Sequence, residues 1–161
     1  GKVLESTCGY WWITSINPLQ PTPLEEGSPV LVPEWGEAQL RLDVLGNVGD
    51  KQLSGGNTVA YFDASLFEHP IRVRGFNPGD RFQPFGLGGT QKLKKLFIDR
   101  KIPAPLRLHW PIIECNGKIL WVVGLRRSDY APISTSTKEV IRLELVGSVP
   151  WPPLAPDLPD I

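Results

Sequence analysis

Apolar and polar positions alternate with a period of two over several short stretches of this 161-residue chain, which reads mainly as β-structure. AQLRLDVLG (Ala38–Gly46) sets Leu40, Leu42 and Val44 against Arg41 and Asp43, the pattern of a half-buried strand. VAYFD (Val59–Asp63), PIRVRGF (Pro70–Phe76) and EVIRLEL (Glu139–Leu145) repeat it, and in the second of these Arg72 and Arg74 share one face. GYWWITSI (Gly9–Ile16) mixes aromatic and β-branched residues and predicts a further strand. Trp110–Gly124 is two apolar runs around Asn116-Gly117, the pair that favours a two-residue hairpin turn.

The period changes once. Leu93, Leu96 and Phe97 fall at i, i+3 and i+4 and predict a helix over about 91–99, with Thr90 as its N-cap and Lys92, Lys94 and Lys95 on its exposed arc. A turn of helix is expected near Pro105–Leu108. Prolines at 18, 21, 23, 29 and 33 exclude a helix or central strand there and leave an extended connection with an edge strand near Val30–Val32. The fold class is α+β, mostly antiparallel strands with one or two short helices. Three parts are expected: a β-rich leading segment over 1–58, a basic domain over 59–147, and a Pro-rich tail over 148–161, extended or disordered.

Composition fits a soluble globular protein. No apolar run approaches the length of a membrane helix, no signal peptide opens the chain, and a reduced, cytoplasmic protein is expected. Cys8 and Cys115 have no metal-ligand spacing with His69 or His109, so no metal site is predicted. The chain starts at Gly1 and has no Met, which suggests a piece of a longer protein.

Zero net charge hides an asymmetry. Between Arg72 and Arg127 twelve bases face only Asp80, Asp99 and Glu114, an excess of nine positive charges. Cations so concentrated repel one another unless a polyanion is near. A solvated face kept for solubility is the plain alternative. The candidate phosphate-binding residues are Arg72, Arg74, Arg81, Lys92, Lys94, Lys95, Arg100, Lys101, Arg107, Arg126 and Arg127. Gly79, Asp80, Gly86, Gly88 and Gly89 are expected to shape the irregular loop between them, with Asp80 as a turn residue and arginine anchor.

Two motifs suggest nucleotide chemistry and fail on inspection. GLGGTQK (Gly86–Lys92) lacks the Lys-Ser/Thr pair of a nucleotide-binding P-loop, though free amides at a Gly-rich helix start beside Lys92 would favour an anion. SGGNT (Ser54–Thr58) is similar to the Ser-Gly-Gly-x-Asp-Ser loop of adenylating ATP pyrophosphatases, but Thr58 and Val59 replace the Asp and Ser and a strand follows, so a turn is expected. No nucleophile with an adjacent base is visible, and no catalytic residue is assigned.

FDASLF (62–67), PIRVRGFNPGDRFQPFG (70–86), QKLKKLFIDRKIPAPLR (91–107), PIIECNGKILWVVGLRRSD (111–129) and the run from Thr137 to Leu145 together resemble the carboxy-terminal domain of tRNA(Ile)-lysidine synthases. The resemblance implies an ATP-dependent parent enzyme, with Mg, that attaches lysine to the wobble cytidine of an isoleucine tRNA. The adenylating loop of that family lies in an amino-terminal domain, so this part carries no cofactor and no catalysis. It implies a module that grips the tRNA(Ile) acceptor stem through the residues named above, touching about five or six phosphates with a salt slope near −4 to −5. Two other readings stay open at this point: a surface that docks the parent's own amino-terminal catalytic domain, and an enzyme for a phosphorylated small molecule at Gly86–Lys92. Oligomeric state is not legible.

Overall fold

The computed structural model describes the backbone of residues 2–7 and 10–15, and backbone with side chains for 18–46, 53 and 55–149. The expected tail beyond 149 and any role of Cys8 lie outside these residues. Thirteen strands and two α-helices are described: β1 (Lys2–Thr7), β2 (Tyr10–Ser15), β3 (Thr22–Pro23), β4 (Val30–Leu31), β5 (Gln39–Gly46), β6 (Val59–Asp63), β7 (Ile71–Arg74), β8 (Arg81–Phe82), β9 (Gln91–Lys92), α1 (Leu93–Asp99), α2 (Ala104–Arg107), β10 (Ile112–Cys115), β11 (Lys118–Val122), β12 (Arg126–Arg127) and β13 (Glu139–Val146). All strand pairings are antiparallel. This is the expected α+β architecture.

Two sheets carry the fold. One has the order β12-β11-β10-β7-β3 and the other β4-β5-β13-β6, while β1-β2 and β8-β9 are separate two-stranded ribbons. The leading segment contributes β3 to the first sheet and both β4 and β5 to the second. Alternation explains β5, where Leu40 and Leu42 are buried and Arg41 is exposed. β10 and β11 are buried along nearly their whole length, with Ile112, Ile113, Leu120 and Val122 fully enclosed and Glu114 the one charged residue of β10. Their turn is the one the Asn-Gly pair favours, with φ of 48° at Asn116 and 77° at Gly117. Trp110 lies between the layers, its ring edge-on to Trp35 at 4.9 Å and to Phe97 at 5.9 Å. Its indole N–H donates to the Val123 carbonyl at 2.9 Å. A residue of the leading segment and two of the basic region thus share one core.

α1 departs from expectation at its start. Gln91 and Lys92 form β9, so the helix opens at Leu93 with Lys92 as N-cap and no side-chain cap, and Thr90 lies outside it. The first amide finds a tertiary partner instead: Leu93 N donates to the Asp80 carbonyl at 2.9 Å. At seven residues α1 is too short to persist alone. Burial of Leu93, Leu96 and Phe97 holds it, each contributing roughly 1.5–3 kcal/mol. Lys101 ends the helix at φ 54°, with Lys101 N on the Ile98 carbonyl and Ile102 N on the Phe97 carbonyl. That is a Schellman closure with lysine where glycine is usual.

Candidate nucleic-acid interface

Register places the first part of the site. Arg72 on β7 stands opposite Glu114 on β10, and Arg74 lies one pleat further on the same face. Glu114 joins them: its carboxylate accepts from Arg72 Nη2 at 2.7 Å and from Arg74 Nε at 2.9 Å. The two arginines then part company. Arg72 keeps 46% of its side chain exposed, whereas Arg74 keeps 10%. Arg74 Nη1 and Nη2 fork onto the two Asp80 oxygens at 2.8 and 3.0 Å, and Nη1 also reaches the Gly75 carbonyl at 2.9 Å. Burial alone would lower the Arg74 pKa, but the hydrogen bonds and charges of Asp80 and Glu114 outweigh it and raise it further.

Asp80 closes the Asn77-Pro78-Gly79-Asp80 turn as well. Its amide donates to the Asn77 carbonyl at 3.1 Å, and its carboxylate accepts from Asn77 N at 2.8 Å. Gly79 takes φ 91°, which suits the third position of a turn with proline second. Asp80 therefore ties β7 and the turn through its carboxylate and the start of α1 through its backbone carbonyl. The residue that follows it is Arg81.

Arg81 and Lys92 are direct partners across the β8-β9 ribbon. Like charges directly opposite destabilise an antiparallel pair, and both residues are exposed. They line an open groove of about 710 Å³ together with Lys95, Arg100 and Arg126, over a floor that includes Leu96. Asp99 is the one carboxylate among the lining residues, and it is bridged by Lys95 Nζ at 2.7 Å on the helix surface. Lys94 and Lys101 are exposed on the same helix and its terminal turn, outside the groove lining.

The remaining sequence-derived candidates are held by the protein. Arg107 Nε donates to the Ile102 carbonyl at 2.9 Å, and burial lowers its pKa. Arg126 is 9% exposed and donates to the Phe85 carbonyl at 2.8 Å while still bordering the groove. Arg127 donates to the Tyr61, Ser128 and Tyr130 carbonyls at 2.6, 3.0 and 3.4 Å. Its guanidinium also lies over the rings of Phe62 and Phe85, 4.4 and 4.9 Å from their centroids. Sequence could not separate Arg126 and Arg127 from the outward arginines, because the Phe85 and Tyr61 carbonyls that hold them come from elsewhere in the fold.

The expected anion seat at Gly86–Lys92 is not formed as a helix start. Gly86, Gly88 and Gly89 belong to a loop that precedes β9, and the first helix amide is engaged by Asp80. The loop instead raises two apolar side chains, Phe85 and Leu87, which are 48% and 54% exposed. Their exposure carried no signal in the sequence. Among the described residues no group of three His, Cys, Asp or Glu side chains is placed to hold a metal ion. No described helix is long and apolar enough to cross a membrane.

Comparison with known proteins gives one consistent result. The family described as the TilS substrate C-terminal domain matches residues 71–145. The chain is similar to the tRNA(Ile)-lysidine synthase of Geobacillus kaustophilus, 38% identical over 123 residues, which is 76% of this chain and 24% of that protein. The synthase of Geobacter sulfurreducens is 31% identical over 131 residues, covering 78% and 24% respectively. The chain therefore spans about a quarter of the length of the curated relatives it matches. Among solved structures, a crystal structure of a TILS C-terminal domain superposes with a TM-score of 0.71 at 30% identity, over 81% of this chain and 98% of that one.

Proposed function

The chain belongs to the family of tRNA(Ile)-lysidine synthase C-terminal domains, and on that premise we propose that it is the tRNA-binding module of such a synthase. It grips the acceptor stem of an isoleucine tRNA in the cytoplasm. An amino-terminal catalytic domain of the same enzyme, using ATP and Mg, then joins lysine to the wobble cytidine. The turn before β6, where Gly56 N donates to the Val59 carbonyl at 3.0 Å, leads into a strand and lacks the loop-to-helix form of an adenylating loop. In this reading ATP and Mg are bound by the catalytic domain.

The observation that carries the proposal is the convergence of Arg81, Lys92 and Lys95 on one open groove, with Arg81 facing Lys92. That arrangement opposes folding by itself and becomes favourable when phosphates lie between the cations. Duplex RNA is recognised mostly by shape, phosphates and 2′-hydroxyls, so a groove rich in cations suits an acceptor stem.

The test is binding of the 161-residue chain to an isoleucine tRNA transcript and to its acceptor-stem minihelix across a salt series. With Arg74, Arg107 and Arg127 engaged internally, about four or five phosphates are contacted, so log affinity is expected to fall with log salt at a slope of about −4. Both RNAs should bind alike, and the Lys92→Ala/Lys94→Ala/Lys95→Ala variant should lose both. Absence of binding at low salt would overturn the proposal and shift the basic face to docking on the catalytic domain.

A further inference from the structure

The cationic groove has a neighbour that shares Arg126 with it. That side chain also borders a second cleft of about 330 Å³, lined by Asn57, Tyr61, Phe85, Leu125 and Ile133 as well as Arg127. The volume is at the lower end of small-ligand sites. The groove lining carries five cations, whereas the cleft lining sets Tyr61, Phe85 and Trp121 beside Arg126, Arg127 and Asn57.

Phe85 is the residue that calls for an explanation. An exposed apolar side chain on a loop tip is ordinary when the loop is loose. Here the backbone is clamped on both polar groups, with Phe85 N donating to the Arg127 carbonyl at 3.0 Å and its carbonyl accepting from Arg126 Nη2 at 2.8 Å. The ring is oriented too, since the Arg127 guanidinium lies 4.9 Å from its centroid and is itself braced by Phe62. Three carbonyls hold that guanidinium in place. The fold thus holds an aromatic plate in place, leaves nearly half of the residue in solvent, and sets it in the lining of a cleft that shares Arg126 with the cationic groove.

We propose that Phe85 is a stacking platform for an unpaired nucleobase at the end of the strand whose phosphates lie in the Arg81–Lys92 groove, with the cleft beside it receiving that base. The proposal rests on the RNA-binding reading above and adds a substrate feature to it: a duplex followed by a single-stranded end. Charge complementarity selects the occupant. A strand leaving a cationic groove past Arg126 carries phosphates on one side and flat, unpaired bases on the other, and an aromatic plate with a guanidinium beneath it suits the second. Stacking tolerates any base, so no hydrogen-bonding code is required at this position.

The experiment compares a blunt RNA duplex with the same duplex carrying a short unpaired extension at its 3′ or its 5′ end, each titrated with the 161-residue chain. The readout is the ratio of affinities within one protein, which cancels general losses of stability or charge. One of the two extensions should raise affinity roughly tenfold in the unsubstituted chain. The ratio should fall to about one in Phe85→Ala and persist in Phe85→Trp. A 2-aminopurine at the first unpaired position should be quenched on binding to the unsubstituted chain and not to Phe85→Ala. A ratio near one for both extensions, with the blunt duplex bound, would overturn the stacking site and leave the phosphate reading standing. A ratio that survives Phe85→Ala would overturn the role of Phe85. Failure to bind either duplex would overturn both readings.

Discussion

Arg81 stands directly opposite Lys92 in the two-stranded ribbon that leads into α1. A non-binding protein would gain by replacing one of them, since an opposite-charge pair across strands contributes roughly 0.2–1 kcal/mol. Lys92→Glu is therefore expected to raise unfolding stability by about 0.5 kcal/mol, helped by an acidic residue at a helix N-terminus. The same change should weaken tRNA binding by on the order of tenfold or more. Urea unfolding and a binding titration on the same variant check both. Loss of stability together with affinity would show that the pair serves folding rather than an anion.

Asp80 is expected to be the costliest single carboxylate in the turn region. Truncating it leaves the Arg74 guanidinium buried with only Glu114 as a charged partner, at a cost of about 3 kcal/mol. Asp80→Ala should also loosen Arg81 and the start of α1, because the same residue's carboxylate closes the turn and its carbonyl receives Leu93 N. Arg74→Lys should be nearly as damaging, since an ammonium cannot fork onto Asp80 while reaching Glu114. Denaturant midpoints measure all three effects.

Cations of the basic region should divide into two groups by assay. Arg127→Ala removes donors from three carbonyls and two ring contacts and should cost about 2 kcal/mol of stability. Lys92→Ala touches none of these and should leave stability within about 0.5 kcal/mol while weakening RNA binding. Thermal unfolding beside a salt-series titration separates the groups.

Acid should release the loop over residues 134–137. Asp63 accepts from Ser65 Oγ at 2.7 Å, Ser65 N at 3.0 Å and Thr137 Oγ1 at 2.7 Å. The Ser65 hydroxyl bond is the largest influence and holds the carboxyl below its ordinary pKa, against the opposing effect of burial. A depressed folded pKa means that the contribution is fully present above the unfolded value of about 3.9 and is lost as pH falls through the folded one. Asp63→Asn should therefore flatten the acid limb of the stability profile below about pH 4, which unfolding measured from pH 2 to 7 would show.

Most of the sheet structure was legible from alternation. β5, β6, β7, β13 and the Asn116-Gly117 hairpin appear where period and turn chemistry place them, because each strand buries one set of positions or lies wholly inside. The start of α1 was misread for a tertiary reason: Gln91 and Lys92 pair with Phe82 and Arg81, and that ribbon overrides the capping preference of Thr90. The basic character of the site was legible as charge density along the chain. Its division was not. Asp80 was legible as an arginine anchor, but not that Arg74 rather than Arg81 is the arginine it holds, and the long-range partners Glu114 and Tyr61 that enclose Arg74 and Arg127 left no local signal. Phe85 was passed over for a related reason, since nothing local shows that an aromatic in a Gly-rich loop will be clamped yet left in solvent.

β13 lies between β5 and β6, and the bridge from Arg142 to Asp43 joins residues 99 apart in sequence. During synthesis at about 5–20 residues per second, β5 leaves the ribosome on the order of five to twenty seconds before the strand that will cover its inner edge. Until then Leu40 and Leu42 belong to a nascent sheet without its centre, so this module is completed late and all at once rather than strand by strand. A ribosome stalled between Arg126 and Glu139 holds a chain with its basic groove sequence already made and a second sheet that still lacks its central strand.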